Sequence, residues 1–387
     1  MRAVAAGLRS RLAGLRTGGF GAGEFGAGGV RTGGVRTGAF KPGRLSAGIR
    51  LAAVAFALAL SPSLSGLSGL TDAGMAMARC SGIDLRDHLT AEARTRLDAE
   101  MAKIPFSRGN HWIATKGNRR LHVIGTQHSG DARMLSMMGE IRPLIRQVDA
   151  VFLEVTEPQM LAADSDQEAF GRYFLLPPGQ RLDRMMPAAD WTQLSARLAQ
   201  LGIAPGTAAQ MQPWYLSDFL TGTDCRKRGF GTRRGLDDRI ERVARLNGIP
   251  AMGLEKPEAG LAALAAMPMA DQVQMLLLDL RSETRHADLY VTLSESYFDG
   301  RLSEGRIVMS WMIYRDLPVP RRQVQRLLRS FDRSVLDQRN RAWVKHLDAR
   351  PEQRLLVAVG AAHLAGDAGL LNLLAARGYQ LTPHTGR

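Results

Sequence analysis

Two copies of Gly-x-x-His stand directly behind apolar runs. Leu121-His-Val-Ile124 leads into Gly125-Thr-Gln-His128, and Arg354-Leu-Leu-Val-Ala-Val359 leads into Gly360-Ala-Ala-His363. A third run, Ala150-Val-Phe-Leu153, ends in Glu154. Two imidazoles and one carboxylate are a ligand set that catalytic metal sites use when one coordination position stays open. The plainer reading is a pair of hydrogen-bonded structural histidines, and the repeated context is what favours chemistry. Strand alternation puts Val151, Leu153 and Val155 on one face and Phe152 with Glu154 on the other. Parallel strands are covered on both faces, so the Glu154 charge is expected away from bulk water, where it needs a cation, a metal or a proton beside it. The glycines are expected to turn the backbone sharply at the strand ends and bring each imidazole toward the sheet.

Arg339 is a second anomaly. On the helical pattern of residues 320–349 the apolar stripe runs Val324, Leu328, Phe331, Val335, Ala342, and position 339 falls on that face. An inward arginine pairs with a carboxylate, here Glu154 or Glu255, or takes an anionic substrate group; the alternative is a stem laid along the helix edge with its head in solvent. Asp131 and Asp237 each precede a helical pattern and read as caps rather than ligands. No His-Glu-x-x-His, Gly-x-Ser-x-Gly or Walker A sequence occurs.

Positioning such residues requires strands that end at one edge. After Asp131 come Met134, Met138, Ile141, Ile145 and Val148, one stripe of an amphipathic helix between two strand-like runs. Strand, helix, strand in this order is a parallel crossover. Asp238–Asn247, stopped by Gly248, followed by Pro250–Leu254, repeats it, as do Arg354–Val359, a helix over Asp367–Arg377 stopped by Gly378, and a last edge strand at Tyr379–Leu381. The fold class expected is α/β, three-layer, with a largely parallel central sheet. Residues 159–234, with exposed-looking Met185, Met186, Met211 and Trp214, and the helices of 258–350 read as covers around that sheet. In an open parallel sheet the crevice beyond the strand ends binds ligands, which is where His128, Glu154 and His363 converge.

The rest of the chain bounds the function. Of 387 residues, 45% are hydrophobic and 23% charged, an ordinary globular composition. The formal charge of +14 divides evenly: nine basic against two acidic residues before position 79 leave +7 there and +7 beyond. The second half of that surplus is scattered over helix faces without interleaved aromatics, which argues against nucleic acid. Residues 1–50 are Gly/Arg-rich, with Gly-Gly-Val-Arg-Thr-Gly repeated at Gly28–Gly33 and Gly33–Gly38, and cannot build a core. Gly21-x-Gly23-x-x-Gly26 lacks the flanking strand and helix of a dinucleotide site. Residues 44–78 have a basic flank, the apolar Leu51–Leu60 and Ala76-Met-Ala78, the three parts of a cleaved signal peptide, the alternative being an uncleaved anchor. Export to the periplasm or beyond, with no stable membrane span after cleavage, leaves 79–387 as one domain. The only cysteines, Cys80 and Cys225, are then either a disulfide closing a long loop or two separate buried thiols.

The chain resembles the TraB/PrgY/GumN family through nearly all of residues 79–387. The resemblance is carried by Cys80-Ser-Gly-Ile-Asp-Leu85, Arg108-Gly-Asn-His-Trp112, Gly125-Thr-Gln-His128-Ser-Gly-Asp131, Leu153-Glu154, Pro213-Trp-Tyr215, Gly235-Leu-Asp237, Gly253-Leu-Glu255, Arg339-Asn340 and Gly360-Ala-Ala-His363. It implies kinship with Tiki metalloproteases and, more distantly, with erythromycin-esterase and haem-binding ChaN-like proteins. It also implies a metal site of His128, Glu154 and His363 for manganese, cobalt or zinc, with Arg339 and Asn340 as further catalytic positions. Lys256-Pro257 departs from the family's pattern, which puts a substrate role for that loop in doubt. The function expected is an exported metal-dependent hydrolase of peptide bonds or of a small molecule. The rival is a non-catalytic envelope or haem-binding protein, for which the Met-rich cover supplies apolar lining.

Overall fold

The computed structural model of the chain describes residues 81–163, 170–221 and 235–384. The low-complexity tract, the signal segment, Cys80 and Cys225 lie outside the described residues. Six strands form one sheet: β1 (His111–Lys116), β2 (Arg119–Thr126), β3 (Ala150–Leu153), β4 (Ala251–Gly253), β5 (Arg354–Gly360) and β6 (Gln380–Pro383). Their order is β4-β3-β5-β2-β1-β6, with β4, β3, β5 and β2 mutually parallel and β1 antiparallel to both neighbours. The largely parallel α/β sheet expected from the crossovers is therefore present.

Alternation along the central strands supplies both helix layers. Phe152, Leu355, Val357 and Val359 enter one core with Trp343, Val344 and Leu347 and with Leu370, Leu371 and Leu374. Val151, Leu153, Leu356 and Ala358 enter another with Met134, Met138, Ile141 and Ile145 and with Leu236, Ile240 and Ala244. Helices α1 (Arg133–Ile145) and α2 (Leu236–Leu246) thus cover one face. Helices α5 (Gln338–Asp348) and α6 (Leu370–Ala375) cover the other. Near-continuous apolar strands are what burial on both faces demands.

A separate helical core gathers Phe174, Leu194, Met211 and Tyr215 with Leu276 and Leu280 from helix α3 (Met269–Arg281). Met211 is buried, and Met185, Met186 and Trp214 pack against this core. Reading these four as exposed was wrong, because the helix that covers them comes some fifty residues or more later in the chain. Among the described residues no single helix is long and apolar enough to cross a membrane.

Residues 85–101 hold a 3₁₀ turn, Leu85–His88, and then a helix, Ala91–Met101, started by the Thr90 side chain accepting from Ala93 N. The inward stripe of residues 320–349 is Val324, Leu327, Ser330, Leu336, Asn340, Trp343 and Leu347, while Ala342 is exposed. The expected stripe assumed one uninterrupted α-helix. Asp332–Asp337 is a π turn, whose wider pitch rotates everything after it and brings Arg339 and Asn340 to the sheet side.

At the β1–β6 edge three histidines cluster. His111 Nε2 lies 3.1 Å from His122 Nδ1, and the His111 and His384 rings stack with centroids 4.0 Å apart. Burial, then the neighbouring His384 and His122, pushes His111 down to about 3; burial, then Arg120 and His384, pushes His122 down to about 4. Both are neutral in the fold, whereas an unfolded chain protonates its histidines near about 6.5. Stability should therefore be unaffected above that value and fall, by about 1–3 kcal/mol, as pH drops from 6.5 toward 4. Thermal unfolding of His122→Gln should lose much of this pH dependence; an unchanged slope would remove the edge cluster as its source.

Candidate functional site

The four parallel strands end at one edge, and their order fixes the order of the side chains. β4 runs into Glu255, β3 into Glu154, β5 into the His363 turn and β2 into His128. Pairing continues past the strands, with Leu254 N bonded to Leu153 O at 2.7 Å and Glu255 N to Glu154 O at 3.1 Å, so the two glutamates are lateral neighbours. β5 lies between the strands that carry His128 and Glu154.

Arg339 organises the acidic side of this row. Its Nε donates to Glu255 at 3.0 Å, and Nη2 donates to Glu255 Oε1 and Glu154 Oε2, both at 2.6 Å. Nη1 takes up the Val335 carbonyl of the π turn at 3.1 Å. The guanidinium also stacks on Trp343, whose Nε1 donates to Glu255 at 2.9 Å. The arginine was expected to pair with Glu154 or Glu255; it pairs with both. With side chains of Arg339 and Glu255 exposed by only 12% and 10%, this is a buried pair and not a solvated one.

Glu154 accepts from Gly360 N at 2.7 Å through its other oxygen. Burial opposes its charge, but His363 when protonated, Arg339, His128 and the Gly360 amide together hold its carboxyl below the usual range. Glu255 goes the other way, because burial outweighs Arg339 and Trp343 and Glu154 repels it.

His363 is buried, and its tautomer can be read from its partners. Asn340 Nδ2 donates to the carbonyls of His363 and Ala368, which leaves Asn340 Oδ1 to accept from His363 Nδ1 at 2.7 Å. Nδ1 therefore carries the proton and Nε2 the lone pair. That lone pair faces Glu154 Oε1 at 4.0 Å and Arg339 Nη1 at 3.3 Å. Burial pushes His363 down to about 4, so it is neutral at pH 7.

His128 behaves differently. Its side chain is 66% exposed and its Nδ1 meets Asp237 Oδ1 at 3.1 Å. Attraction to Asp237 and a hydrogen bond with it push the imidazole up to about 9. Asp237 is not the helix cap it was expected to be. α2 starts after Gly235, and the capping carboxylate is Asp238, which accepts from Gly235 N at 3.0 Å, freeing Asp237 for the histidine. No signal in one sequence separates the two adjacent aspartates. Asp131 stands one residue before the N-cap, Ala132, and its carboxylate accepts from Arg133 N at 2.9 Å in the first turn of α1.

The motif glycines provide space rather than an unusual turn. Gly360 has φ −49° and ψ 132°, which any residue adopts, but a Cβ there would lie 3.1 Å from Glu154 Oε1 and 3.6 Å from His363 Cδ2. A Cβ on Gly125 would meet Leu364 Cδ1 at 2.8 Å. The expectation of sharp turns is corrected accordingly. Gly360→Ala should change the unfolding free energy by no more than about 1 kcal/mol yet lower any activity that depends on Glu154 about tenfold or more, since small displacements of a reacting group are expensive. A variant with unchanged activity would show that the carboxylate position is not critical.

The donor set fits a divalent cation in its chemistry. Both histidines have Nδ1 tied to an oxygen, the arrangement that fixes the tautomer and basicity of a metal-binding imidazole and leaves Nε2 to ligate. Thr126 Oγ1, Gln127 Oε1 and Ser129 Oγ, around His128, are buried without hydrogen-bond partners. Ionised, Glu154, Glu255 and Asp237 against the Arg339 guanidinium and a protonated His128 leave one negative charge, and two once His128 loses its proton. The separation is looser: among the described residues no three His, Cys, Asp or Glu side chains already stand close enough to hold one ion.

Known proteins resemble this chain over most of the described residues. The YbaP protein of Escherichia coli (strain K12), described as uncharacterized, is 28% identical over 277 residues, covering 69% of this chain and 94% of its own length. YbaP of Shigella flexneri matches to the same extent. The model of the TraB/PrgY/gumN family matches residues 110–383, a span that holds every side chain of the site, and the chain belongs to that family.

Proposed function

We propose that the protein is an exported, metal-dependent hydrolase of peptide bonds, with His128, Glu154 and His363 holding one divalent cation, Mn²⁺, Co²⁺ or Zn²⁺. The observation that carries this is the Asn340–His363 pair, which presents a neutral, buried Nε2 lone pair toward Glu154. When bound, such an ion polarises a carbonyl and lowers the pKa of water. Glu154, fixed by Gly360 N and Arg339, supplies the anionic ligand. Arg339 positions it and keeps Glu255 from repelling the site. For its Nε2 to ligate, His128 would release the Nε2 proton to solvent while Nδ1–H stays on Asp237. The kinship with Tiki metalloproteases, the signal peptide over residues 44–78 and a Cys80–Cys225 disulfide belong to the same proposal.

Calorimetric titration with Mn²⁺, Co²⁺ and Zn²⁺ tests it without needing a substrate. The unaltered protein should bind one equivalent of at least one of them. His363→Ala and Glu154→Gln should each weaken that affinity by about 100-fold or more while melting cooperatively. Equal affinities in all three proteins would overturn the assignment.

A further inference from the structure

The His363 turn has a second side. Behind it lies a cavity of about 560 Å³ that none of His128, Glu154 or Asp237 lines. It exists because the turn is built from small residues: Ala362, Ala365, Gly366, Ala368 and Gly369 all border it. The opposite wall is the π turn Asp332–Asp337 and helix α4 (Leu302–Asp316), which contribute Leu336, Ile307 and Met309. A cavity of this size, mostly apolar with a few polar groups at its rim, is the usual form of a small-molecule site.

The polar groups have a distinct character. Arg306 is satisfied by Asp332 at 2.5 Å. Arg329, Arg333 and Arg341 also line the cavity, and among the described residues their guanidiniums make no ion pair, hydrogen bond or ring contact. The same lining holds two carboxylates, Asp337 and Asp367; burial pushes Asp337 up while attraction to Arg341 and, more weakly, Arg333 opposes that shift, so an incoming anion competes with Asp337 for those guanidiniums. Unpaired guanidiniums at the mouth of an apolar cavity suit a carboxylate whose tail is buried, because the fork binds both oxygens while the chain leaves water.

We propose that this cavity binds an amphiphilic carboxylate, a single apolar chain ending in –CO₂⁻, and that its occupancy is felt at His363 through Asn340. Asn340 lines the cavity and holds both the imidazole and the carbonyl of His363, as well as Ala368 on the cavity wall. A chain seated there touches the residue that fixes the tautomer of His363. The cavity lies apart from the proposed ligands His128 and Glu154, so metal-free protein should bind the carboxylate as well.

Decanoate, decanol and acetate, titrated into the full chain and followed by calorimetry, separate head from tail. Decanoate should saturate one site, decanol should bind at least about tenfold more weakly, and acetate should not bind. The double variant Arg333→Ala/Arg341→Ala, at exposed positions that leave the core intact, should lose about tenfold for decanoate and nothing for decanol. In parallel, saturating decanoate should shift the His363 ring resonances, and Asn340→Ala should abolish that shift. No saturable decanoate binding, equal binding of decanol, or indifference to the double variant would overturn the site. Binding without any change at His363 would overturn the coupling.

Discussion

Arg339→Met should destabilise the protein by about 3–5 kcal/mol, the largest effect expected of any single charged residue in the site. The guanidinium serves two carboxylates at once, and the Arg339 and Glu255 side chains are nearly out of solvent, at 12% and 10% exposure. Methionine preserves most of the stem that lies on Trp343, so the loss comes from leaving Glu255 and Glu154 without their cation. Glu255 is already shifted upward by burial, so it should take up a proton more readily in the variant and recover part of the loss as pH falls. That sign distinguishes an electrostatic cause from a packing one. The double variant Arg339→Met/Glu255→Gln should be more stable than Arg339→Met alone, and denaturant unfolding of the pair in a mutant cycle measures the difference. A double variant as unstable as the sum of its parts would mean that the two side chains do not act as a pair.

How much of this was legible beforehand depended on the range of the interaction that decides each feature. The strands and α1 could be read because Met134, Met138, Ile141 and Ile145 repeat at the helix period and Val151, Phe152 and Leu153 sit in an unbroken apolar run, and these are local signals. The convergence of His128, Glu154 and His363 on one edge followed from topology, since parallel strands joined by crossovers must end together. Arg339 was readable as inward-facing although the stripe used to place it was partly wrong. The π turn before it leaves no mark in the residue pattern, because a one-residue widening is decided by what the helix packs on. Asp237 and the stacked His111 and His384 were missed for a related reason. Their partners are more than 100 residues away in sequence, and nothing in a side chain's own neighbourhood says which of two adjacent aspartates will meet a distant imidazole. Met211 and Trp214 read as exposed for want of α3, which covers them from much later in the chain.

If the proposed hydrolysis is correct, Glu154→Gln should reduce it by about a thousandfold or more while leaving a folded protein, because it removes the proposed anionic ligand but keeps an acceptor for Gly360 N. Arg339 keeps Glu255, so the stability loss should stay well below that of Arg339→Met. The pH profile then separates the two histidines. His363, down at about 4, is available as a ligand across the neutral range and should impose no pH dependence above pH 5. His128, held up at about 9 by Asp237, must lose a proton first, so metal affinity should rise about tenfold per pH unit until about 9 and then level. In Asp237→Asn the attraction is gone and the imidazole returns toward about 6.5, so the levelling should move down by about two units. The position of that plateau, followed by calorimetry in both proteins, reports His128 directly. If it stays in place when Asp237 is neutralised, the proton released on metal binding belongs to another group, and His128 is a surface partner of Asp237 and not a ligand.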